Sequence, residues 1–228
     1  EGAVVAVTGR SIKKTSDITA KLEGSRPYKL NLLNDNSVGD VIEQIQYDFG
    51  GLDIIVCNSG GPPSGQTISI DQDVWHTYFK MIFVNQLRIV NSFLPKMRNN
   101  NWGRILVITS SGVKQPIPNL GLSNSIRLAQ LGWGKTLANE VARDGVTVNF
   151  CAPGRIQTKR VDELDIENAK KQNKSVEKIQ AASRANIPIG RYGTVEEFAD
   201  AAVFLLSSNA SYITGTVMQV DGGLIKGL

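Results

Sequence analysis

Short apolar runs alternate with longer stretches of helical period along this chain. The alternation predicts an α/β fold built on a mainly parallel sheet. Residues 3–8 (AVVAVT), 53–57 (DIIVC), 104–109 (RILVIT) and 146–151 (VTVNFC) read as buried strands. Residues 28–32 and 216–220 are further strand candidates. Helical period runs over 38–49, where Val38, Val41, Ile42 and Ile45 share a face behind a candidate cap at Ser37, and over 74–97 and 122–143. Asp144-Gly145 supplies a stop for the last of these. Charged residues 160–184 read as mobile helices. Thr194, with Glu197 three residues on, predicts a capped helix to Leu206.

One stretch is short of residues. Between Thr8 and Tyr28 there is room for one helix and one parallel crossover. A dinucleotide-binding half needs a further strand and helix. The chain begins at Glu1, not at a methionine, and the expectation is that residues are omitted close to Gly9–Ser11.

Composition narrows the function classes. The 228 residues suit one domain with one core, with 41% hydrophobic and 20% charged residues, ordinary for a globular protein. The net charge of +4 comes from Lys and Arg scattered among acids, so nucleic acid is not an expected partner. No apolar run approaches the roughly 18 residues of a membrane span, and no signal peptide is read. With one histidine, His76, and two cysteines, Cys57 and Cys151, each in an apolar run, neither a zinc site nor a disulfide is expected. A cytoplasmic location follows as an expectation.

Several motifs stand in order. Thr8-Gly9 follows the first strand, Asn58-Ser59-Gly60 follows DIIVC, and Thr109-Ser110-Ser111 follows the next strand. Pro153-Gly154-Arg155-Ile156-Gln157-Thr158, Arg191-Tyr192-Gly193, Tyr212-Ile213-Thr214-Gly215 and Val220-Asp221-Gly222-Gly223 complete the series. Together they resemble the short-chain dehydrogenase/reductase family, in a divergent subgroup like the 3-oxoacyl-acyl-carrier-protein reductases, with Gly-Gly-Pro after the fourth strand. The resemblance covers about residues 28–223.

It implies a Rossmann-type, doubly wound parallel sheet with helices on both faces, binding NAD or NADP. Thr8 and Gly9 would open the phosphate loop, although its two later glycines are missing. Asn31 and Leu32 would meet the adenine end, Asn58, Ser59 and Gly60 the ribose, and Pro153, Gly154, Ile156 and Thr158 the nicotinamide carboxamide. The plainer readings are tight turns at Gly60-Gly61 and Pro153-Gly154, and a strand-end polar residue at Asn31.

The family's proton transfer uses Ser, Tyr, Lys and Asn. In the register of the resemblance, Ser110 keeps the serine. The tyrosine place falls on Ser123, the lysine place on Arg127 and the asparagine place on Ile82, with Asn85 one turn away. An aliphatic hydroxyl is a far weaker acid than a phenol, and an arginine does not deprotonate. A water held by Ser123 and Arg127 is one replacement acid. Tyr78, Tyr192 and Tyr212 fit structural roles. The competing readings are a helix cap at Ser123, a surface or interface arginine at 127 and a strand-end hydroxyl at Ser110.

The expected activity is therefore oxidoreduction of a small carbonyl or secondary alcohol, with a lid over about 158–190. A catalytically weak scaffold on the same fold is the alternative. The resemblance also implies a homotetramer or homodimer, paired through the two long helices.

Overall fold

The computed structural model describes residues 2–227. In chain order the elements are β1 (Ala6–Gly9), α1 (Ile12–Thr19), β2 (Arg26–Lys29), α2 (Asp35–Phe49), β3 (Ile54–Cys57), α3 (Gln72–Phe79), α4 (Asn85–Asn99), β4 (Gly103–Ile108), α5 (Gly121–Val141), β5 (Val146–Pro153), α6 (Lys159–Gln172), α7 (Val176–Ala185), α8 (Val195–Leu206) and β6 (Val217–Val220). Every strand pair is parallel. The ladders form two groups, β1-β2 and β3-β4-β5-β6. Among the described residues no ladder joins one group to the other.

Helices lie on both faces, as the alternation predicts. Val38, Val41 and Ile45 of α2, Phe93 and Met97 of α4, and Leu137 and Val141 of α5 pack on Ile55, Cys57, Ile105, Val107, Val148 and Phe150. On the other face Leu205, Phe198 and Ala202 of α8 cover Leu106, Cys151 and Met218. The continuous apolar runs of β4 and β5 follow from this two-sided burial.

Local chemistry sets the boundaries. Asn34, not Ser37, caps α2, its side chain accepting the Ser37 N–H at 3.0 Å. Ser37 Oγ instead accepts the Asn31 N–H. The predicted long helix at 74–97 is two helices joined by a π-turn over Lys80–Val84. Gln130 donates to the Ile82 carbonyl inside that turn at 2.8 Å. Gly145 closes the segment after α5 at φ 70°, and a Cβ there would sit 2.1 Å from the Asn101 carbonyl oxygen, so only glycine fits. Thr194 and Glu197 form the expected capping box.

The first strand departs from expectation. Thr8 and Gly9 lie inside β1, paired with Tyr28 and Lys29, rather than opening a glycine-rich loop. Only Arg10 separates β1 from Ser11, which caps α1. From there β1, α1 and β2 form one closed crossover, with Arg26 N donating to the Val5 carbonyl and Leu30 N to the Gly9 carbonyl.

Candidate active site

The carboxyl ends of β3, β4 and β5 carry the residues that the sequence singles out, as a doubly wound sheet requires. Ser110 follows β4. Its Oγ accepts the Gly112 N–H at 3.0 Å, which leaves the hydroxyl proton free to donate elsewhere. The turn Ser111–Val113 and the first half of α5 pack together. A Cβ on Gly112 would lie 2.5 Å from Asn124 Oδ1, so the glycine lets α5 close on the Ser110 loop. Asn124 fixes that approach by donating to the Ile117 carbonyl at 3.0 Å. Sequence reading passed over Asn124; its place beside Ser123 was the available signal.

Ser123 and Arg127 sit one turn apart on α5. The cap position of this helix is Leu120, so Ser123 lies in the first turn and does not serve as the cap. Arg127 is buried and donates through Nη1 to the Ile108 carbonyl at 2.9 Å, at the end of the strand that leads into Ser110. It is not a surface arginine. Burial lowers its pKa from the usual arginine value. Asn85 does not reach this side: its Nδ2 donates to the Leu32 carbonyl at 2.8 Å and to Asp35 Oδ1 at 3.3 Å.

Other predicted residues hold structural bonds. Asn31 Oδ1 accepts the Leu33 N–H at 3.1 Å, so its amide is engaged in its own turn. Thr158 caps α6, accepting the Val161 N–H. Gly154 donates to the Val220 carbonyl, and a Cβ on it would stand 2.7 Å from Asp221 Cα. Ile156 is buried and bridges to Gly193. The predicted lid is helical, over α6 and α7, and α6 is anchored by Asp165, fully buried, which accepts from Arg155 Nη1 at 3.0 Å and from the Tyr192 hydroxyl at 2.9 Å. Tyr192 is thereby committed to structure, and burial foremost raises its pKa. Tyr212 is fully exposed and Tyr78 packs against the Ile82 cluster. Cys57 and Cys151 are buried free thiols, pushed up by burial to about 12 and about 11, and unreactive at neutral pH.

The fit to a nicotinamide dinucleotide divides in two. After β3, the buried Ser59 Oγ has no hydrogen-bond partner, and a Cβ on Gly60 or Gly61 would meet nothing within 4 Å. An unspent hydroxyl beside open glycines, with Arg127 and Ser110 on the same sheet edge, suits the ribose and nicotinamide end. Arg10, exposed between β1 and the cap of α1, is a cation that sequence reading missed, and an Arg near this place suits a ribose 2′-phosphate. The pyrophosphate end has no glycine-rich cradle: no glycine stands between Gly9 and Gly24.

Comparison with known proteins agrees with this geometry. The family described as enoyl-(acyl carrier protein) reductase matches residues 1–225. A 3-oxoacyl-acyl-carrier-protein reductase of Haemophilus influenzae is 33% identical over 227 residues, covering 98% of this chain and 88% of the relative. Among solved structures, L-sorbose reductase of Gluconobacter frateurii, complexed with NADPH and L-sorbose, superposes with a TM-score of 0.92 at 27% identity, covering 100% of this chain and 89% of the other. YwfH, an NADPH-dependent reductase involved in bacilysin biosynthesis, gives 0.90 at 26% identity, covering 99% and 89%. The chain belongs to the short-chain dehydrogenase/reductase family, in its 3-oxoacyl-acyl-carrier-protein reductase-like branch.

Proposed function

We propose that the protein is an NAD(P)-dependent oxidoreductase that reduces a carbonyl, or oxidises the matching secondary alcohol, with a proton donor other than tyrosine. A 3-oxoacyl thioester is the substrate class that its relatives favour. The bound nicotinamide supplies or accepts the hydride. In this reading Ser110 donates its hydroxyl proton as a hydrogen bond to the carbonyl oxygen. Ser123 holds the water that delivers the proton, in the space that a phenol fills in other members of the family. Arg127 bonds the ribose hydroxyls and keeps positive charge beside that water, favouring its loss of a proton as charge develops on the oxygen. Arg10 favours NADPH over NADH. Two copies pair through α4 and α5, and the segment 158–190 closes over the substrate.

One observation carries the reading: a buried guanidinium on α5 reaches the end of β4, the same edge at which Ser110 presents a free hydroxyl. Desolvating an arginine is costly, and a single carbonyl is little compensation unless an oxygen-rich ligand adds to it. Titration with NADPH and NADH, followed by turnover of 3-oxoacyl thioesters, tests it. Cofactor binding with substrate-dependent oxidation of NADPH is expected. Failure to bind either nucleotide would leave a scaffold on the same fold.

A further inference from the structure

On α5 the buried residues Leu122, Ile126, Gln130, Gly134 and Leu137 follow one another at the helix spacing. Gln130 is the polar member of that row, and it is 2% exposed. Its amide has a fixed orientation. The Ile82 main-chain oxygen can only accept, so the amide nitrogen must face it, at 2.8 Å. The second N–H goes to Gln86 Oε1, also at 2.8 Å. Gln130 Oε1 is buried and has no hydrogen-bond partner. An apolar side chain would fill this place without an orphaned oxygen, and a buried amide that is only partly paired adds little net stability. The amide adds direction instead, because a hydrogen bond fixes an angle as well as a distance.

Ile82 lies in the π-turn Lys80–Val84, where the Asn85 N–H reaches back to the Lys80 carbonyl. Such turns are rare inside helices and are frequent at functional sites. This one packs on the start of α5, with Ile82 buried against Leu122 and Ile126. Those two residues stand immediately before Ser123 and Arg127. Arg127 itself lies less than one turn before Gln130 and ties α5 to the Ile108 carbonyl at the end of β4. The helix is thus fastened at two main-chain oxygens, Ile108 on the strand and Ile82 on the π-turn. With one such bond a helix can still turn slightly about its axis against apolar neighbours. With two on different sides its rotation is fixed, and the direction in which Arg127 projects is fixed with it.

We propose that Gln130 is a positioning residue for the reaction: by gripping the π-turn it sets the rotation of α5 and so the place of the Arg127 guanidinium. This rests on the ribose-binding role given to Arg127 above. Gln130 itself touches neither cofactor nor substrate. The expected consequence is large for so small a bond, because a displacement of about 1 Å in a reacting constellation can cost on the order of 100-fold. Gln130→Leu isolates the effect, since it keeps apolar packing against Ile82 and removes the grip. A substitution that merely lowered the folded fraction would cut kcat and leave KM as it was. A displaced Arg127 weakens the hold on the nucleotide instead, and that appears in KM.

Gln130→Leu is expected to raise the KM for NADPH about 10-fold, with Tm within about 3 °C of the parent. In the Arg127→Ala background the same substitution is expected to change the NADPH dissociation constant by less than about 2-fold, because the group it acts through is gone. An unchanged KM in the single variant, or an equal effect in both backgrounds, overturns the proposal. A measurement without nucleotide keeps this apart from the function itself. The guanidinium N–H protons of Arg127, identified in NMR spectra by their loss in Arg127→Ala, are expected to exchange with water at least about 10-fold faster in Gln130→Leu. If the parent binds neither NADPH nor NADH, the catalytic reading fails, and this exchange rate decides whether Gln130 places Arg127; an unchanged rate sinks the idea. Should Gln130→Leu fail to fold, Gln86→Leu takes its place, since it removes the second acceptor and lets the amide swing off Ile82. A KM rise of about 3-fold is then expected, and no rise counts against the proposal.

Discussion

Arg127 Nη1 lies 2.9 Å from the main-chain oxygen of Ile108, which ties α5 to the carboxyl end of β4. Removing this arginine strips the site of its cation and leaves a buried carbonyl unpaired. Arg127→Ala is expected to lower kcat/KM for NADPH-dependent reduction by at least about 100-fold, equivalent to roughly 3 kcal/mol of transition-state stabilisation. Arg127→Lys is expected to retain NADPH binding. Unchanged steady-state kinetics in the alanine variant would remove Arg127 from the mechanism.

Ser123 offers a sharper separation. Ser123→Ala leaves the helix cap at Leu120 untouched and is expected to reduce kcat on the order of 100-fold, with KM little changed, if it holds the donor water. The double variant Ser123→Tyr with Arg127→Lys restores the family pair. Its turnover is expected to exceed that of either single variant and to rise as pH falls through the pKa of the introduced phenol. A double variant no faster than Ser123→Ala would show that the surrounding geometry does not admit the usual donor.

The buried Asp165 is a stability test away from the chemistry. Asp165→Ala leaves Arg155 and the Tyr192 hydroxyl without their partner and is expected to cost about 3–5 kcal/mol in urea denaturation. Tyr192→Phe removes one hydrogen bond and is expected to cost about 1 kcal/mol. Comparable losses in the two variants would mean that Asp165 does not organise this region.

Glu197 couples α8 to pH. Its carboxylate accepts from Arg191 first, and from the Thr194 N–H, and these draw its pKa from an ordinary 4.5 to about 2. A carboxyl depressed on folding adds stability above its ordinary value and loses it as pH falls toward the lowered one. The Tm difference between the parent and Glu197→Gln is therefore expected to be full at pH 6 and to shrink progressively below about pH 4.5. A difference independent of pH would assign the effect to packing. Thr194→Ala, which removes the cap itself, is expected to cost about 1 kcal/mol at every pH.

Self-association is checked by light scattering. Phe79, Val84 and Leu128 are exposed apolar residues on or beside the helices expected to pair. A dimer or larger at micromolar concentration is expected, and Leu128→Glu is expected to shift it toward monomer.

Local pattern by itself determined the alternation of strands and helices, the capping box at Thr194 and Glu197, and the residues of the β4 and β5 core. Each depends on spacing within a few residues, which periodicity and side-chain chemistry encode directly. The closeness of Ser110 to Arg127, on the helix that also carries Ser123, was likewise legible, since the three residues lie along one strand and the helix after it. Tertiary structure alone decided the rest. The π-turn at Ile82 is held by Gln130, 48 residues away, and Asn85 is claimed by Leu32, 53 residues away. The place of β1 depends on which strands lie beside it, and its own apolar run is compatible with either the first or the second position in the sheet. Thr8-Gly9 read as the opening of a phosphate loop, and only the ladder partners Tyr28 and Lys29 placed both residues inside β1.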